Sequence, residues 1–396
     1  MAVSAIICEY NPFHNGHKYQ IDSIKPDTVV CLMSSNYVQR GSLAVCDKYY
    51  RAKAALMCGA DLVLELPFPF SMSSAEKFSS SGISILDKLG VIDKLSFGCE
   101  SGEFSKLNCV AEYIASDEFD MEIKELLNEY PKLPFAVIRE KAVEAKMGKE
   151  ISSLLREPNN ILGIEYIKAI RKSNSLISPC PILRHIVNHN DIIPKSGFAS
   201  ATNIIEFIKN GEDFFDFIPD ETKKIYLDAS ENGDFPSDER KLESAVLYFL
   251  RKTSSEELSE YYDCNGINVI IKKAVQKATS IDELYQMCRN RNYTSARIRR
   301  CILSAFLGVK KDVSVSEPLY TTVLGFNERG AGLLSKAKKI SQIPIITKPA
   351  HIKKYKGTDV YTQFMAGVVA DDIYSLTLPQ TPSSHESMKK GPVCLV

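Results

Sequence analysis

Residues 3–20 read VSAIICEYNPFHNGHKYQ and join an apolar run to a polar turn and then to a helical pattern. A near-continuous apolar run indicates a strand that is buried on both faces of a sheet. Three more such runs, DTVVCLMSS, DLVLELP and KLSFGCES, follow before residue 102, and stretches with helical spacing separate them. Strands that helices connect in this way predict a parallel, right-handed, doubly wound α/β sheet.

The rest of the chain is more helical. Residues 104–158 have the pattern of charged helices inserted in, or appended to, the sheet domain, and an α/β pattern then returns. After the linker-like DFIPDE most stretches have helical spacing. We therefore predict a sheet domain over residues 1–215, a mainly helical C-terminal domain over residues 216–380 and a flexible tail over residues 381–396.

Composition limits the class of protein. With 396 residues, of which 44% are hydrophobic, the chain can form two or three globular domains. No apolar run reaches the roughly 18 residues that cross a bilayer, and no basic region of the signal-peptide kind opens the chain. The eleven cysteines are scattered without a C-x-x-C pair, which favours reduced thiols over a disulfide framework or a zinc cage. We expect a soluble, cytoplasmic protein with no membrane partner.

The charged residues are unevenly distributed along the chain, although 49 basic residues balance 49 acidic ones. No acidic residue lies between Glu283 and Asp312, the first basic interval, or between Glu328 and Asp359, the second basic interval. Arginines bind phosphates, and aromatic rings stack on unpaired bases. We therefore expect the C-terminal half to bind RNA, with solvated helix faces as the alternative. The residues of the first basic interval that we single out are Tyr293, Arg297, Arg299 and Arg300.

The turn NPFHNGH follows the first predicted strand, at the edge where a doubly wound sheet binds its ligands. Gly16 lets the backbone approach a ligand, and N–H groups at the start of the next helix favour an anion. His14 and His17 would flank one phosphate and stabilise the negative charge that grows during its transfer. Surface histidines or a metal site are the alternatives, and metal is the weaker one because no third ligand lies at suitable spacing.

HNGH resembles the H-x-G-H signature of the nucleotidyltransferase superfamily, which implies a Rossmann-like fold shared with class I aminoacyl-tRNA synthetases. Further segments narrow the resemblance to the bacterial tRNA(Met) cytidine acetate ligases. The likeness is strongest over the first 210 residues and continues through LGFNERGAGLL and IPIITK. The segments that carry it are EYNPFHNGH, QRG (39–41), GADLVLELP (59–67), FGCESG (97–102), EPNNILGIEY (157–166) and FASAT (198–202).

The resemblance implies an ATP-dependent ligase with a two-step reaction. Acetate attacks the α-phosphate of ATP, pyrophosphate leaves, and the acetyl-adenylate delivers its acetyl group to N4 of the wobble cytidine of elongator tRNA(Met). The expected partners are therefore ATP, acetate and this tRNA. We expect Mg²⁺ to accompany ATP.

The resemblance also assigns the nucleotide site. Gly102 would let adenosine approach the backbone, Asn160 (or its neighbour Asn159) would bind ribose or adenine edges, and Arg184 would clamp phosphate. Without the resemblance, a turn glycine, a helix cap and a solvated arginine are simpler interpretations. With His14 and His17 as the catalytic pair, the ATP loop comprises Ile7, Cys8, Glu9, Tyr10, Asn11, Pro12, Phe13, His14, Asn15, Gly16, His17, Lys18, Tyr19 and Gln20.

One position departs from the pattern of the family. Relatives usually carry an arginine in S-A-T-x-I-R, and Ile205 stands at that place. Isoleucine cannot replace a guanidinium, so Arg184, Lys195 or a residue from elsewhere supplies the charge, or ATP turnover is weakened. Lys48 and Arg51 are further candidates for phosphate or RNA contact, with a solvated helix face as the alternative.

Two other functions are compatible with the sequence. A small-molecule nucleotidyltransferase shares the H-x-G-H signature, but such enzymes are typically much shorter than this chain. A non-catalytic RNA- or nucleotide-binding relative is credible because of Ile205. An aminoacyl-tRNA synthetase is disfavoured, since the nearest match to a K-M-S-K-S loop is SMKK at residues 387–390, in the expected tail.

Overall fold

The computed structural model describes residues 1–183 and 197–395. Its main sheet has eight strands in the order β10-β8-β5-β2-β1-β6-β7, with β9 paired to β8, and β3 and β4 form a separate hairpin. The strands are β1 (Val3–Cys8), β2 (Thr28–Ser34), β3 (Tyr37–Val38), β4 (Ser42–Leu43), β5 (Leu62–Leu66), β6 (Lys94–Cys99), β7 (Ser178–Leu183), β8 (Thr321–Asn327), β9 (Ile345–Ile346) and β10 (Val393–Leu395).

The five strands β5-β2-β1-β6-β7 are parallel to one another, which confirms the predicted doubly wound sheet. Along β2, Val30 and Leu32 pack into the apolar core on one face of the sheet, while Cys31 and Met33 pack into the core on the other. Both faces are therefore buried, which explains why the sequence of this strand does not alternate between apolar and polar residues.

Helices cover both faces. The α-helices are α1 (Asn15–Ser23), α2 (Lys48–Met57), α3 (Ala75–Leu89), α4 (Phe104–Ile114), α5 (Asp117–Glu129), α6 (Phe135–Met147), α7 (Lys149–Ser152), α8 (Pro158–Lys172), α9 (Ala201–Asn210), α10 (Asp220–Glu231), α11 (Glu243–Lys252), α12 (Ser255–Leu258), α13 (Asn268–Val275), α14 (Ile281–Cys288), α15 (Ser295–Phe306), α16 (Glu328–Ile340) and α17 (Asp359–Ser375). Short 3₁₀ helices span Phe70–Met72, Ser153–Arg156, Phe215–Phe217, Glu239–Leu242, Lys311–Ser314, Pro349–Tyr355 and Glu386–Met388.

Two glycines bring helices close to the sheet. A Cβ on Gly82 of α3 would lie 2.6 Å from Cδ1 of Ile7, and one on Gly163 of α8 would lie 2.7 Å from the ring of Phe97. With a larger side chain at either position, the side chain of Ile7 or Phe97, or the helix itself, would have to shift. The insertion predicted at residues 104–158 holds α4 to α7, and α4 packs against α8.

The C-terminal half contributes strands as well as helices. β8 pairs antiparallel with β5, and the hydroxyl of Thr321 donates to the carbonyl oxygen of Glu65 at 2.7 Å. β10 lies in the segment expected to be a flexible tail, yet its three residues pair in parallel with β8. β8 covers backbone groups that β5 would otherwise leave unpaired at a sheet edge, and β10 in turn covers part of β8. The predicted boundary at residue 216 stays a prediction, and the sheet extends across it.

One expectation about the cysteines was wrong. Cys264 and Cys301 form a disulfide, although the scattered pattern indicated reduced thiols throughout. The two residues are 37 positions apart in sequence, and folding brings their Cα atoms to 4.8 Å. The other cysteines that the structure describes have free thiols. Among the α-helices of the described ranges, none combines the length and the apolar composition that a membrane crossing requires.

Candidate nucleotide-binding site

The loop between β1 and α1 is anchored on both sides. The side-chain carbonyl of Asn11 accepts a hydrogen bond from the backbone N–H of Val45 at 2.8 Å. The backbone N–H of Phe13 donates to the hydroxyl of Tyr226 at 3.0 Å, and that tyrosine comes from α10. Residues distant in sequence therefore fix the loop at the carboxyl edge of the sheet, where α/β folds bind ligands.

His14 and His17 cap the first turn of α1 together. Nδ1 of His14 accepts from the backbone N–H of Gly16 at 3.1 Å, and Nδ1 of His17 accepts from the backbone N–H of His14 at 3.3 Å. The two rings stack with their centroids 3.6 Å apart. A neutral imidazole that accepts at Nδ1 carries its proton on Nε2, a tautomer that we infer from the hydrogen bonds. Each ring therefore has an Nε2–H donor at the helix N-terminus, where an anion is favoured.

Gly16 is required by the ring of His14. A Cβ at this position would lie 2.9 Å from Cε1 of His14, which is closer than real Cβ contacts allow. Asn15 serves the fold, because its side-chain NH₂ donates to the carbonyl oxygens of Gly197 at 2.8 Å and Asp216 at 3.2 Å. The H-N-G-H pattern thus places two imidazoles at the first turn of one helix, and Asn15 ties that helix to the backbone at Gly197 and Asp216.

A second wall comes from the loop after β6. Oδ1 of Asn160 accepts from the backbone N–H groups of Glu100 at 3.1 Å and Ser101 at 3.4 Å. In return the carboxylate of Glu100 accepts from the backbone N–H groups of Asn159 at 3.2 Å and Asn160 at 2.9 Å, at the start of α8. This reciprocal clamp fixes the loop that leads to the exposed Gly102. Oδ1 of Asn160 is therefore occupied by backbone N–H groups of the protein itself.

Sequence reasoning missed Glu100. Its carboxylate is the anion at the N-terminus of α8, where N–H groups without helical partners favour negative charge. The sequence did contain both parts of this contact, namely the glutamate of the CESG turn and the P-N-N start of a helix. Without a structure, the two segments could not be paired, because about sixty residues separate them.

Part of the predicted site lies outside the described residues, namely Arg184 and Lys195. Ile205 is described and lies on α9, where it packs against an apolar cluster that contains Ile208 and Phe214. This position therefore adds apolar contact and no charge.

The hypothesis that Arg51 contacts phosphate or RNA was wrong, and so was the alternative of a solvated face. Its side chain is fully buried, with 0% exposure. The guanidinium donates to the carbonyl oxygens of Glu9 at 2.6 Å, Ser35 at 2.7 Å and Cys46 at 2.9 Å. Arg51 thus ties together the loops that follow β1 and β2, since a guanidinium has five donors in a fixed geometry.

Lys48 is structural as well. Its ammonium lies 2.6 Å from a carboxylate oxygen of Glu65 and 2.8 Å from one of Asp371, and its side chain is 7% exposed. These bonds attach α17 to the carboxyl edge of β5. Burial raises the pKa of the Asp371 carboxyl to about 6, although the neighbouring ammonium opposes the shift.

The QRG turn connects the candidate site to α15. The carboxylate of Glu9 accepts from the backbone N–H of Gln39 at 2.7 Å, and burial raises the pKa of this glutamate. The carbonyl oxygen of Gln39 accepts from Nη1 of Arg300 at 3.2 Å, and Nε of Arg300 donates to Asp263 at 2.5 Å. Gly41, with φ +71°, lets the turn approach closely, because a Cβ there would lie 2.5 Å from the backbone nitrogen of Arg300.

The arginines singled out in the first basic interval make contacts within the protein. Arg300 is 6% exposed, so its expected role as an RNA contact was wrong. Arg297 donates to the carbonyl oxygen of Asn265 at 3.1 Å and lies over the ring of Tyr293 at 5.0 Å. The guanidinium of Arg299 lies 4.7 Å from the centre of the Tyr285 ring. Periodicity did not reveal these partners because they come from other elements.

Comparisons with known proteins agree with this geometry. A family model described as HIGH Nucleotidyl Transferase matches residues 1–390. The tRNA(Met) cytidine acetate ligase of Thermoanaerobacter sp. (strain X514) is 36% identical over 389 residues, with 95% of each chain covered. The tRNA(Met) cytidine acetate ligase of Caldanaerobacter subterraneus subsp. tengcongensis is 37% identical over 388 residues, again with 95% of each chain covered.

Two solved structures are similar over the whole length of both chains. The crystal structure of Thermotoga maritima TmcAL bound with alpha-thio ATP has a TM-score of 0.91 and 29% sequence identity, with 100% of each chain covered. The apo structure of the same protein has a TM-score of 0.94 and 28% identity, with the same coverage. The fold of this chain is therefore similar to one that is known to accept an ATP analogue.

Proposed function

The chain belongs to the HIGH nucleotidyl transferase family and, within it, to the tRNA(Met) cytidine acetate ligases, and from that premise we propose its reaction. ATP and acetate form acetyl-AMP and pyrophosphate. The acetyl group then passes to N4 of the wobble cytidine of elongator tRNA(Met), and AMP leaves. The reaction would take place in the cytoplasm, where ATP and tRNA meet.

The histidine capping box is the observation that carries this proposal. In the first step a carboxylate oxygen of acetate forms a bond to the α-phosphorus, and the bond to the pyrophosphate oxygen breaks. The Nε2–H groups of His14 and His17 donate to the oxygens on which negative charge grows, and the N-terminus of α1 adds its partial positive charge. No nucleophilic side chain is needed, because acetate itself attacks.

In the second step the N4 amine of cytidine attacks the carbonyl carbon of acetyl-AMP. The bond between that carbon and the AMP oxygen breaks, and the amine loses a proton to water. We propose that the clamp between Glu100 and Asn160 holds the loop at Gly102 against the nucleotide throughout. Arg184 remains our candidate for the phosphate clamp that Ile205 does not provide.

We also propose Mg²⁺ as the ion that accompanies ATP. The part of the chain that the structure describes has no group of three or more His, Cys, Asp or Glu side chains that could hold a metal ion. Phosphate oxygens and water would therefore supply most of its ligands, as is usual for Mg²⁺ at nucleotide sites. Bound there, the ion would neutralise phosphate charge.

The test is an incubation with ATP, radiolabelled acetate and bulk tRNA. We expect pyrophosphate release that depends on acetate, and label in RNA that mass spectrometry locates on cytidine of tRNA(Met). ATP binding without pyrophosphate release would instead support the non-catalytic alternative, which Ile205 motivates. Transfer of the nucleotide to a small molecule would support the other alternative, a small-molecule nucleotidyltransferase.

A further inference from the structure

Lysines gather on and beside the 3₁₀ helix Pro349–Tyr355, which lies between β9 and α17. We call residues 348–356 the lysine segment. All its lysines are exposed, and no side-chain hydrogen bond or ion pair joins them to any residue of the described ranges. The ammonium of Lys354 lies 5.0 Å from the centre of the half-buried Tyr355 ring. The lysines of the segment are Lys348, Lys353, Lys354 and Lys356.

The fold places this segment at the edge of the sheet that carries the histidine pair. β9 pairs with the start of β8, where Thr321 lies opposite Ile345. β8 is antiparallel to β5, so its start lies at the carboxyl end of β5. Ile352 of the segment packs in one apolar cluster with Tyr320 and Phe364, which holds the segment there. Three strand spacings separate β1 from β8, or about 14 Å.

The two basic intervals differ in how their charges are used. Arg300 and Arg297 of the first interval share the carboxylate of Asp263, and Lys311 pairs with Glu260 at 2.9 Å. The second interval has no acidic residue before Asp359. Arg329 of the second interval also has an acidic partner outside it, because its Nη1 lies 3.7 Å from Asp61. The lysines of the lysine segment, in contrast, have no acidic partner in the described ranges, so their positive charge is available to a ligand.

We propose that the lysine segment binds the phosphate backbone of the RNA substrate while the loop at residues 7–20 holds the nucleotide. This inference rests on the proposed function and names the surface that delivers RNA to the same site. Lysines without internal partners can release the counterions of a phosphate backbone. The exposed part of the Tyr355 ring offers a surface on which an unpaired base can stack.

The test compares two triple variants that each lose three positive charges. One is Lys353→Gln, Lys354→Gln and Lys356→Gln in the lysine segment. The matched control is Lys336→Gln, Lys338→Gln and Lys339→Gln in α16, whose lysines are equally exposed and have no side-chain partner in the described ranges. α16 packs on a face of the sheet through Leu333, Leu334 and Ala337. It begins at the amino end of β5, where Asn327 at its N-cap donates to the carboxylate of Asp61 at 2.9 Å.

We expect the lysine-segment variant to bind tRNA more weakly. The negative slope of log affinity against log salt should become smaller in magnitude by about 3, or about one for each lost phosphate contact. The control should keep the affinity and the slope of the wild type. Pyrophosphate release from ATP and acetate without tRNA should be equal in all three proteins, because the nucleotide loop is unchanged.

Equal losses in both triples, or no loss in the first, would overturn the proposal. The proposal would also fail if the lysine-segment variant kept its tRNA affinity but no longer bound phosphatidylglycerol vesicles, because the segment would then bind a lipid surface. A failure of the proposed function is separate. If wild-type protein binds tRNA through these lysines and no label enters RNA, the binding surface stands and the reaction does not.

Discussion

Nδ1 of His17 accepts the backbone N–H of His14, so the second histidine of the motif caps the residue that carries the first. The reciprocal bond from Gly16 to Nδ1 of His14 completes a capping box that is built from imidazoles. A capping box normally uses hydroxyl, carboxylate or amide side chains. The motif therefore has a structural role at Nδ1 and, in our proposal, a chemical role at Nε2.

The two roles of His14 can be separated. Asparagine can accept the Gly16 N–H in place of Nδ1 but has no donor at the position of Nε2, whereas alanine has neither. We expect His14→Asn and His14→Ala both to lower pyrophosphate release at least 10²-fold. Only His14→Ala should lose about 1 kcal/mol of unfolding free energy in urea titrations. Wild-type pyrophosphate release by His14→Asn would show that the histidine is only a cap.

Gly16→Ala should disturb the site without disturbing the fold. The new Cβ would lie 2.9 Å from the His14 ring, so the ring must move. We expect a large loss of pyrophosphate release with an unfolding free energy close to that of the wild type, because alanine is favourable in a helix. Gly332→Ala in α16 is the control, since its Cβ would meet nothing within 4 Å. Equal activities of the two variants would contradict the steric argument.

Ile205→Arg introduces the arginine that the S-A-T-x-I-R pattern predicts at this place. We expect a KM for ATP several-fold lower than that of the wild type, because a guanidinium can bind phosphate with two hydrogen bonds. The substitution should also cost some stability, since Ile205 packs against an apolar cluster. Ile205→Met is the control that keeps apolar volume. An unchanged KM in the arginine variant would mean that other residues already supply this charge.

Asp371 predicts a pH dependence of stability. Its pKa in the folded protein is about 6, raised first by burial, against 3.8 for an ordinary aspartate. The folded state therefore binds this proton more tightly, and the associated stability is present below pH 4 and lost as the pH rises through 6. Relative to Asp371→Asn, the wild type should lose on the order of 3 kcal/mol between pH 4 and pH 7. Urea unfolding at both pH values measures this difference, and a constant difference would contradict it.

Arg300 should matter for folding rather than for RNA binding. Arg300→Ala leaves the carboxylate of Asp263 and the carbonyl of Gln39 without this guanidinium, so we expect a loss of about 2–4 kcal/mol in unfolding free energy. Arg291→Ala is the control, because Arg291 is exposed and its side chain has no partner within the described ranges. Equal stability of the two variants would contradict this role.

The sequence was sufficient to predict the elements that depend on local patterns. Apolar runs predicted the parallel strands, and the H-N-G-H turn after β1 was placed correctly at a helix start. The roles of Arg51, Lys48 and Arg300 could not be predicted, because each is decided by partners far away in sequence. Lys48, for example, pairs with Asp371, 323 positions later. A charged residue on a helical pattern does not reveal whether such a partner will cover it.

The same limit applies to β8 and to the disulfide. Nothing in the local pattern of Thr321–Asn327 indicates that this strand will pair with β5 across more than two hundred residues.

Residues 7–20 and the loop at Gly102 stay predictions as nucleotide contacts. Their geometry makes each one testable by the substitutions above.

β8 is synthesised long after β5, and this order has a consequence for folding during translation. Synthesis of β5 is complete at residue 66, but β8, the strand that pairs with its edge, ends only at residue 327. At typical synthesis rates of about 5–20 residues per second, the ribosome needs roughly 10–50 s to add the missing strand. During that time the β5 edge has unpaired N–H and C=O groups, which invite pairing with other nascent chains. Protein yield in cells should therefore depend on translation speed and on chaperones that shield this edge.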